Sequence, residues 1–242
     1  MSETLWGVII GGAIGIAGPL LTSLLNLFLE GLKEKRAKKR KIRERLIGHR
    51  LQTRDIEELS SEARRRGERV DLQSADLTKA YLGGIDLENA ILYRANLSGA
   101  NLSRANLHRA NLGSAQLKET VLYKANLEKA DLFEVDLERA KMQGANLVRA
   151  ALYEANLKQA HMSKANLTGA NLAKSNLTQA VLTGANLSET NLKEADLTEA
   201  LVTNEQLRQS KTLEGAILPD GTKVPEGTDY EKWIEEWRAS HT

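Results

Sequence analysis

Side chains able to do chemistry are sparse in this chain. Its 242 residues contain no cysteine and only four histidines, His49, His108, His161 and His241. Without cysteine there is no disulfide framework, thiolate nucleophile or thiolate metal site. No two histidines stand at a metal-ligand spacing, and no Gly-rich phosphate loop, nucleophile elbow or zinc motif appears. The many carboxylates recur at positions that predict exposure, where nothing would shift their pKa for acid–base work. The sequence therefore predicts no catalytic residues, no cofactor and no metal, and a function other than an enzyme's.

What is regular is the spacing of leucine. From Leu72 to Leu197 a Leu or Met occupies every fifth position, 26 times in succession, and only Met142 and Met162 are not Leu. Ala stands two residues earlier in 20 cases of 26, and Asn or Asp directly before in 18. A five-residue step scatters these leucines around a helix and alternates them across a strand. They reach one interior only if the backbone turns a corner in every pentad and coils around them. Leu and Ala then face inward, while Asn/Asp and the next two residues face solvent. Asn and Asp suit tight bends because their side chains bond nearby backbone. Such a solenoid buries its face only by stacking one coil on the next.

Eight positions break the Asn/Asp rule: Tyr81, Ile91, Gln116, Val121, Lys141, Ala151, His161 and Val181. Five of them are multiples of 20 apart, as four sides per coil would give. The segments "ANLSGANLSRANL" and "KEADLTEA" resemble the A(D/N)Lxx signature of the pentapeptide-repeat family. The resemblance implies an all-β solenoid, a right-handed quadrilateral β-helix with four pentads per coil. It also implies a protein that binds other proteins rather than an enzyme.

The flanks differ from the repeats. Leu5 to Leu29 holds 25 residues without a charge, enough for a helix of about 37 Å that crosses a bilayer core. Gly7, Gly11 and Gly15 would share one face of that helix and allow close packing in lipid. Pro19 would kink it, and Asn26 would meet a neighbouring helix or the headgroups. Residues 33–50 then carry ten Lys/Arg against two Glu, whereas residues 70–242 carry 19 basic and 23 acidic side chains. Lys33, Lys35, Arg36, Lys38, Lys39, Arg40 and Lys41 would contact anionic headgroups and hold that side in the cytoplasm. Nucleic acid is the less favoured partner.

Four segments follow: a transmembrane helix over 1–32, a basic and capping segment over 33–69, the β-helix over 70–200 and a C-terminal cap over 201–242. In the first cap Ile56, Leu59 and Ala63 would share a helix face ending at Gly67. The second has a short helix, a turn at Pro219–Gly221, and Trp233 and Trp237 one helical turn apart, packed on the last coil or against a partner. With four pentads per coil, Arg109, Lys129 and Arg149 form a basic column, and Arg104 with Lys124 a neighbouring one. Tyr81, Val121, Lys141, His161 and Val181 form a partly apolar stripe, and Phe133 stacks on Tyr153. Both surfaces are candidates for an unknown protein partner.

The expectation is a single-pass protein of a bacterial inner membrane, its N-terminus outside, displaying a cytoplasmic scaffold. Two alternatives are a DNA-imitating topoisomerase binder, and a homo-oligomeric membrane-remodelling or pore assembly built through the glycine face.

Overall fold

The computed structural model describes residues 53–227 and Trp233. Within them the pentads wind into a four-sided coil. Parallel bridges join positions one coil apart throughout the repeats, from Asp71↔Ile91 to Val181↔Leu201. The four sides follow from these ladders. Face 1 runs through Asp71, Ile91 and Asn111, face 2 through Asp76, Asn96 and Gln116, face 3 through Tyr81, Asn101 and Val121, and face 4 through Asp86, Asn106 and Asn126. Stacked coils repeat at about 4.8 Å.

The interior is a column of leucines with small residues between them. Every Leu or Met of the series from Leu72 to Leu197 is buried, and so is every residue two places before it. Burying one Leu stabilises by about 1.5–3 kcal/mol, and the repetition supplies that term in every pentad. Where Thr or Ser takes the place of Ala at the small site, its hydroxyl finds a backbone acceptor. Thr120 Oγ1 donates to Leu97 O (2.8 Å) and Thr190 Oγ1 to Leu167 O (2.9 Å).

The corner follows the leucine. Its carbonyl accepts the N–H of the Ala three residues on, as in Leu97 O from Ala100 N–H (2.9 Å). The second residue after each of the 26 Leu/Met positions has positive φ; five of these are glycine and the other 21 are not. Positive φ at the third residue of such a turn is the type II arrangement. A left-handed conformation costs a non-glycine residue about 1 kcal/mol, so the corners are held against a local preference by core and ladder.

A pentad that carries Asn or Asp on the ladder accounts for all of its backbone donors, as the one around Leu97 shows. Asn96 N–H donates to Ala75 O (2.9 Å), Leu97 N–H to Gln116 O (2.7 Å) and Gly99 N–H to Lys118 O (2.8 Å), besides the turn bond of Ala100. The remaining donor, Ser98 N–H, is taken by the side chain of Asn96 through Oδ1 (3.1 Å). All 18 Asn and Asp residues of the series make this bond two residues on, from Asp71 to Asp196. This corrects the expectation that they simply face solvent. They sit on the flat sides as ladder residues, most are half-buried, and their carbonyl or carboxylate oxygens reach forward over the corner. Several also bond along the axis, as Asn146 Nδ2 to Asn126 Oδ1 (3.1 Å) and Asn126 Nδ2 to Asn106 Oδ1 (3.2 Å).

Both ends of the coil are covered. Helix α1 (Thr53–Arg65) buries Ile56 completely and leaves Leu59 and Ala63 half-buried. Ser60 Oγ donates to the Asp86 carbonyl (2.6 Å) and Arg64 pairs with the Asp86 carboxylate. The helix stops at Gly67 (φ +62°), where Gly67 N–H bonds Arg64 O and Glu68 N–H bonds Ala63 O, a Schellman ending.

At the other end α2 (Asn204–Leu207) replaces one side of the last coil. Leu207 fills the core site one coil after Leu187. Gln206 closes a capping box with Thr203 and donates Nε2 to Leu182 O (2.7 Å) and Ala185 O (2.8 Å). A side-chain amide thus takes over from the missing ladder N–H. The helix adds one residue, so the ladder resumes as Asn191↔Thr212 and Asp196↔Ile217. The chain then folds back, Ile217↔Lys223 being antiparallel, and Val224 is buried over the end. This hairpin covers the exposed edge that a solenoid otherwise offers to another chain.

Among the described residues no helix is long and apolar enough to cross a membrane. The 5–29 segment that carries that expectation lies outside the described residues, as does Trp237. Trp233 is helical and half-buried.

Leu127 is fully buried in the column. Leu127→Ala should lower the unfolding free energy by about 2–5 kcal/mol in chemical denaturation, whereas Val148→Ala, on the wall, should change it little.

Candidate interaction surface

The coil brings the stripe together as one ladder: Tyr81, Asn101, Val121, Lys141, His161, Val181 and Leu201. This is face 3. Leu201 extends the stripe by one coil and is 60% exposed, comparable with Tyr81 at 67%. Its signal in the sequence is its place one coil after Val181, outside the run of leucine pentads. Tyr123, 40% exposed, stands at the corner that follows this face, with the Lys124 ammonium 5.2 Å from its ring centroid.

Arg109, Lys129 and Arg149 also form a column, on the corner after face 4. Its charge is partly compensated. Lys129 Nζ lies 3.2 Å from Glu128 Oε1, and that bond holds the Glu128 carboxyl below the usual range. His108 Nδ1 lies 3.2 Å from Glu88 Oε1 on the same corner. Arg104 and Lys124 lie on the corner between faces 3 and 4, joined there by Lys164. Among the described residues no carboxylate pairs with Arg104, Lys124, Lys141 or Lys164.

On the opposite walls, charges are mixed and paired. Lys118 lies between Asp136 Oδ2 (3.3 Å) and Glu138 Oε2 (3.0 Å), which raise its pKa while Glu138 is held low. A polar chain climbs the corner between faces 2 and 3. Arg139 approaches Glu119 at 3.9 Å and donates Nε to Gln159 Oε1, Gln159 Nε2 donates to Gln179 Oε1, and Gln179 Nε2 donates to Glu199 Oε2. Glu119, Arg139, Gln159 and Gln179 of this chain, with Lys141 and His161, line a shallow open depression of about 550 Å³. The corner after face 1 carries the aromatics. Phe133 and Tyr153 are stacked at 5.9 Å with planes 4° apart, and the Lys174 ammonium lies 5.6 Å from the Tyr153 ring centroid. Tyr93 lies over Gly113, where a Cβ would meet its ring at 3.3 Å.

Among the described residues no group of His, Cys, Asp or Glu is arranged to hold a metal ion. Gly7, Gly11 and Gly15 and the basic residues Lys33, Lys35, Arg36, Lys38, Lys39, Arg40 and Lys41 lie outside the described residues.

A family model described as pentapeptide repeats matches eight copies, over residues 71–109, 100–139, 130–169 and 165–204. The chain belongs to the pentapeptide-repeat family. Proteins of this family adopt a right-handed β-helix and are generally non-enzymatic structural or interaction proteins.

Three solved structures illustrate the likeness. HetL, involved in heterocyst differentiation regulation in the cyanobacterium Nostoc sp. strain PCC 7120, is 34% identical over 64% of this chain and 76% of its own, with a TM-score of 0.30. Rfr23 from the cyanobacterium Cyanothece 51142 is 31% identical over 48% of this chain and 85% of its own, with a TM-score of 0.33. QnrB1, a plasmid-mediated fluoroquinolone resistance protein, is 18% identical over 72% of this chain and 90% of its own, with a TM-score of 0.28. Among curated proteins, none matches.

The corner residues give a direct test of wall geometry. Arg109 has φ +55°. Arg109→Val should destabilise by about 1–2 kcal/mol relative to Arg109→Gly, because a β-branched residue resists this conformation more than glycine does. Thermal unfolding of the two variants reads the difference.

Proposed function

We propose that this protein is a membrane-anchored, non-enzymatic scaffold whose β-helix walls are read by protein partners. The observation that supports it is the wall itself: side chains one coil apart are held in register over successive coils by main-chain bonds. A surface so ordered presents columns of charge and ring without a backbone ordering cost on binding. The uncharged run 5–29 would hold one end in lipid, and the basic block after it would keep the β-helix on the cytoplasmic side of a bacterial inner membrane. The column Arg109/Lys129/Arg149 is the proposed protein-contact surface, and the stripe Tyr81/Val121/Lys141/His161/Val181 is a second surface open to contact.

A DNA-imitating topoisomerase binder is less well supported. Such a protein needs a continuous acidic wall, and face 3 with its following corner carries Arg104, Lys124, Lys141 and Lys164 without an Asp or Glu.

Cell fractionation tests the anchor. The full chain should stay in the membrane pellet through alkaline carbonate washing, and a chain lacking residues 1–32 should move to the supernatant. Full-length protein found in the supernatant without detergent would contradict the proposal.

A further inference from the structure

Face 3 departs furthest from the usual pentad in its main chain as well as its side chains; elsewhere the ladder Asn/Asp is missing only at Ile91, Gln116 and Ala151. Wherever Asn or Asp stands on the ladder, its Oδ1 takes the backbone N–H two residues on. On face 3 that acceptor is replaced at Tyr81, Val121, Lys141, His161 and Val181. The N–H groups of Gly83, Tyr123, Gln143, Ser163 and Thr183 consequently have no acceptor within the described residues. Only Ser103 on this corner is satisfied in the usual way, by Asn101 (3.0 Å). Four of these donors, from Tyr123 to Thr183, fall on successive coils, about 4.8 Å apart.

Cationic side chains surround these donors. Arg104, Lys124 and Lys164 follow one residue further along the same corner, and Lys141 projects from the ladder; all four are exposed. The carboxylates of the preceding corner, Glu119 and Glu199, are engaged by Arg139 and Gln179. Of the four large hydrophobic side chains exposed among the described residues, Tyr81, Tyr123 and Leu201 belong to this side, and Phe133 alone does not.

From this combination we infer that face 3 is a docking surface for an anionic lipid bilayer. A row of corner amide donors with ammonium and guanidinium groups beside it suits headgroup phosphates, which accept hydrogen bonds and carry the opposite charge. The exposed Tyr and Leu side chains suit the boundary below the headgroups, where amphipathic rings and aliphatic chains settle. A soluble polyanion would make no use of Leu201 or of the Val121 and Val181 side chains. The inference does not depend on the N-terminal anchor.

The absence of cysteine permits single-site labelling of the full chain. Ser163→Cys places an environment-sensitive fluorophore on the face 3 corner, and Ser114→Cys places one on the diagonally opposite corner. Each labelled protein is reconstituted with spin-labelled lipid into phosphatidylcholine vesicles, with and without phosphatidylglycerol. With phosphatidylglycerol, quenching at position 163 should exceed that at position 114 several-fold. It should fall to the level of position 114 in phosphatidylcholine alone, in high salt, or on adding Lys124→Glu and Lys164→Glu with the circular dichroism unchanged. Equal quenching at the two positions, or no dependence on the anionic lipid, would overturn the inference and leave the face to an acidic protein. Flotation with phosphatidylcholine vesicles reads the anchor separately, so its loss would count against the proposed function and not against this surface.

Discussion

The structure depends on one hydrogen bond repeated at 18 of the 26 corners: a main-chain N–H accepted by the Asn or Asp two residues before it. The other four donors of a pentad go to neighbouring coils or close the turn. This one points where no carbonyl stands. A side chain with an oxygen on Cγ can reach it, and Asn and Asp are the residues that carry one there. With it, the corner is complete and the chain turns inward again after five residues. The leucine column then follows, because four corners per coil place every fifth side chain on the axis.

This division of labour explains which positions are tightly specified. Leu and Ala are set by the bore of the tube, since two large side chains per pentad would overfill it. The corner residue at positive φ accepts Gly, Ser, Asn and long unbranched polar side chains, but no β-branched residue occurs there in any of the 26 pentads. Its left-handed backbone is a local cost that stacking overcomes. The ladder position tolerates exceptions, and a missing Asn removes an acceptor without opening the core. Face 3 concentrates those exceptions, so it trades a satisfied main chain for donors that other molecules can use.

Much of the coil was legible from residues alone. The fifth-residue leucines require an inward bend per pentad, and the spacing of Tyr81, Val121, Lys141, His161 and Val181 is that of the ladder on face 3. The caps were partly legible through Ile56 and Gly67 and through the turn at Pro219–Gly221. Other features were not. The role of Gln206 depends on an inserted residue that shifts the ladder from 20 to 21, and nothing local to "NEQL" shows which carbonyls it will meet. The pairing of Lys129 with Glu128 depends on the rotamers of two neighbouring corner side chains, which periodicity does not describe. Leu201 was hidden because it stands where the leucine pentads have already ended.

The central claim is that the coil closes with every fourth pentad, through four equivalent corners. Removal of residues 121–140 takes out one coil and leaves each ladder and each corner in phase. That chain should keep the circular dichroism of the parent and a single cooperative thermal transition at a somewhat lower temperature. Removal of residues 121–142 puts leucines and corner residues out of phase and should abolish the transition. Equal tolerance of both deletions, or collapse of the first, would contradict a tube built on this period.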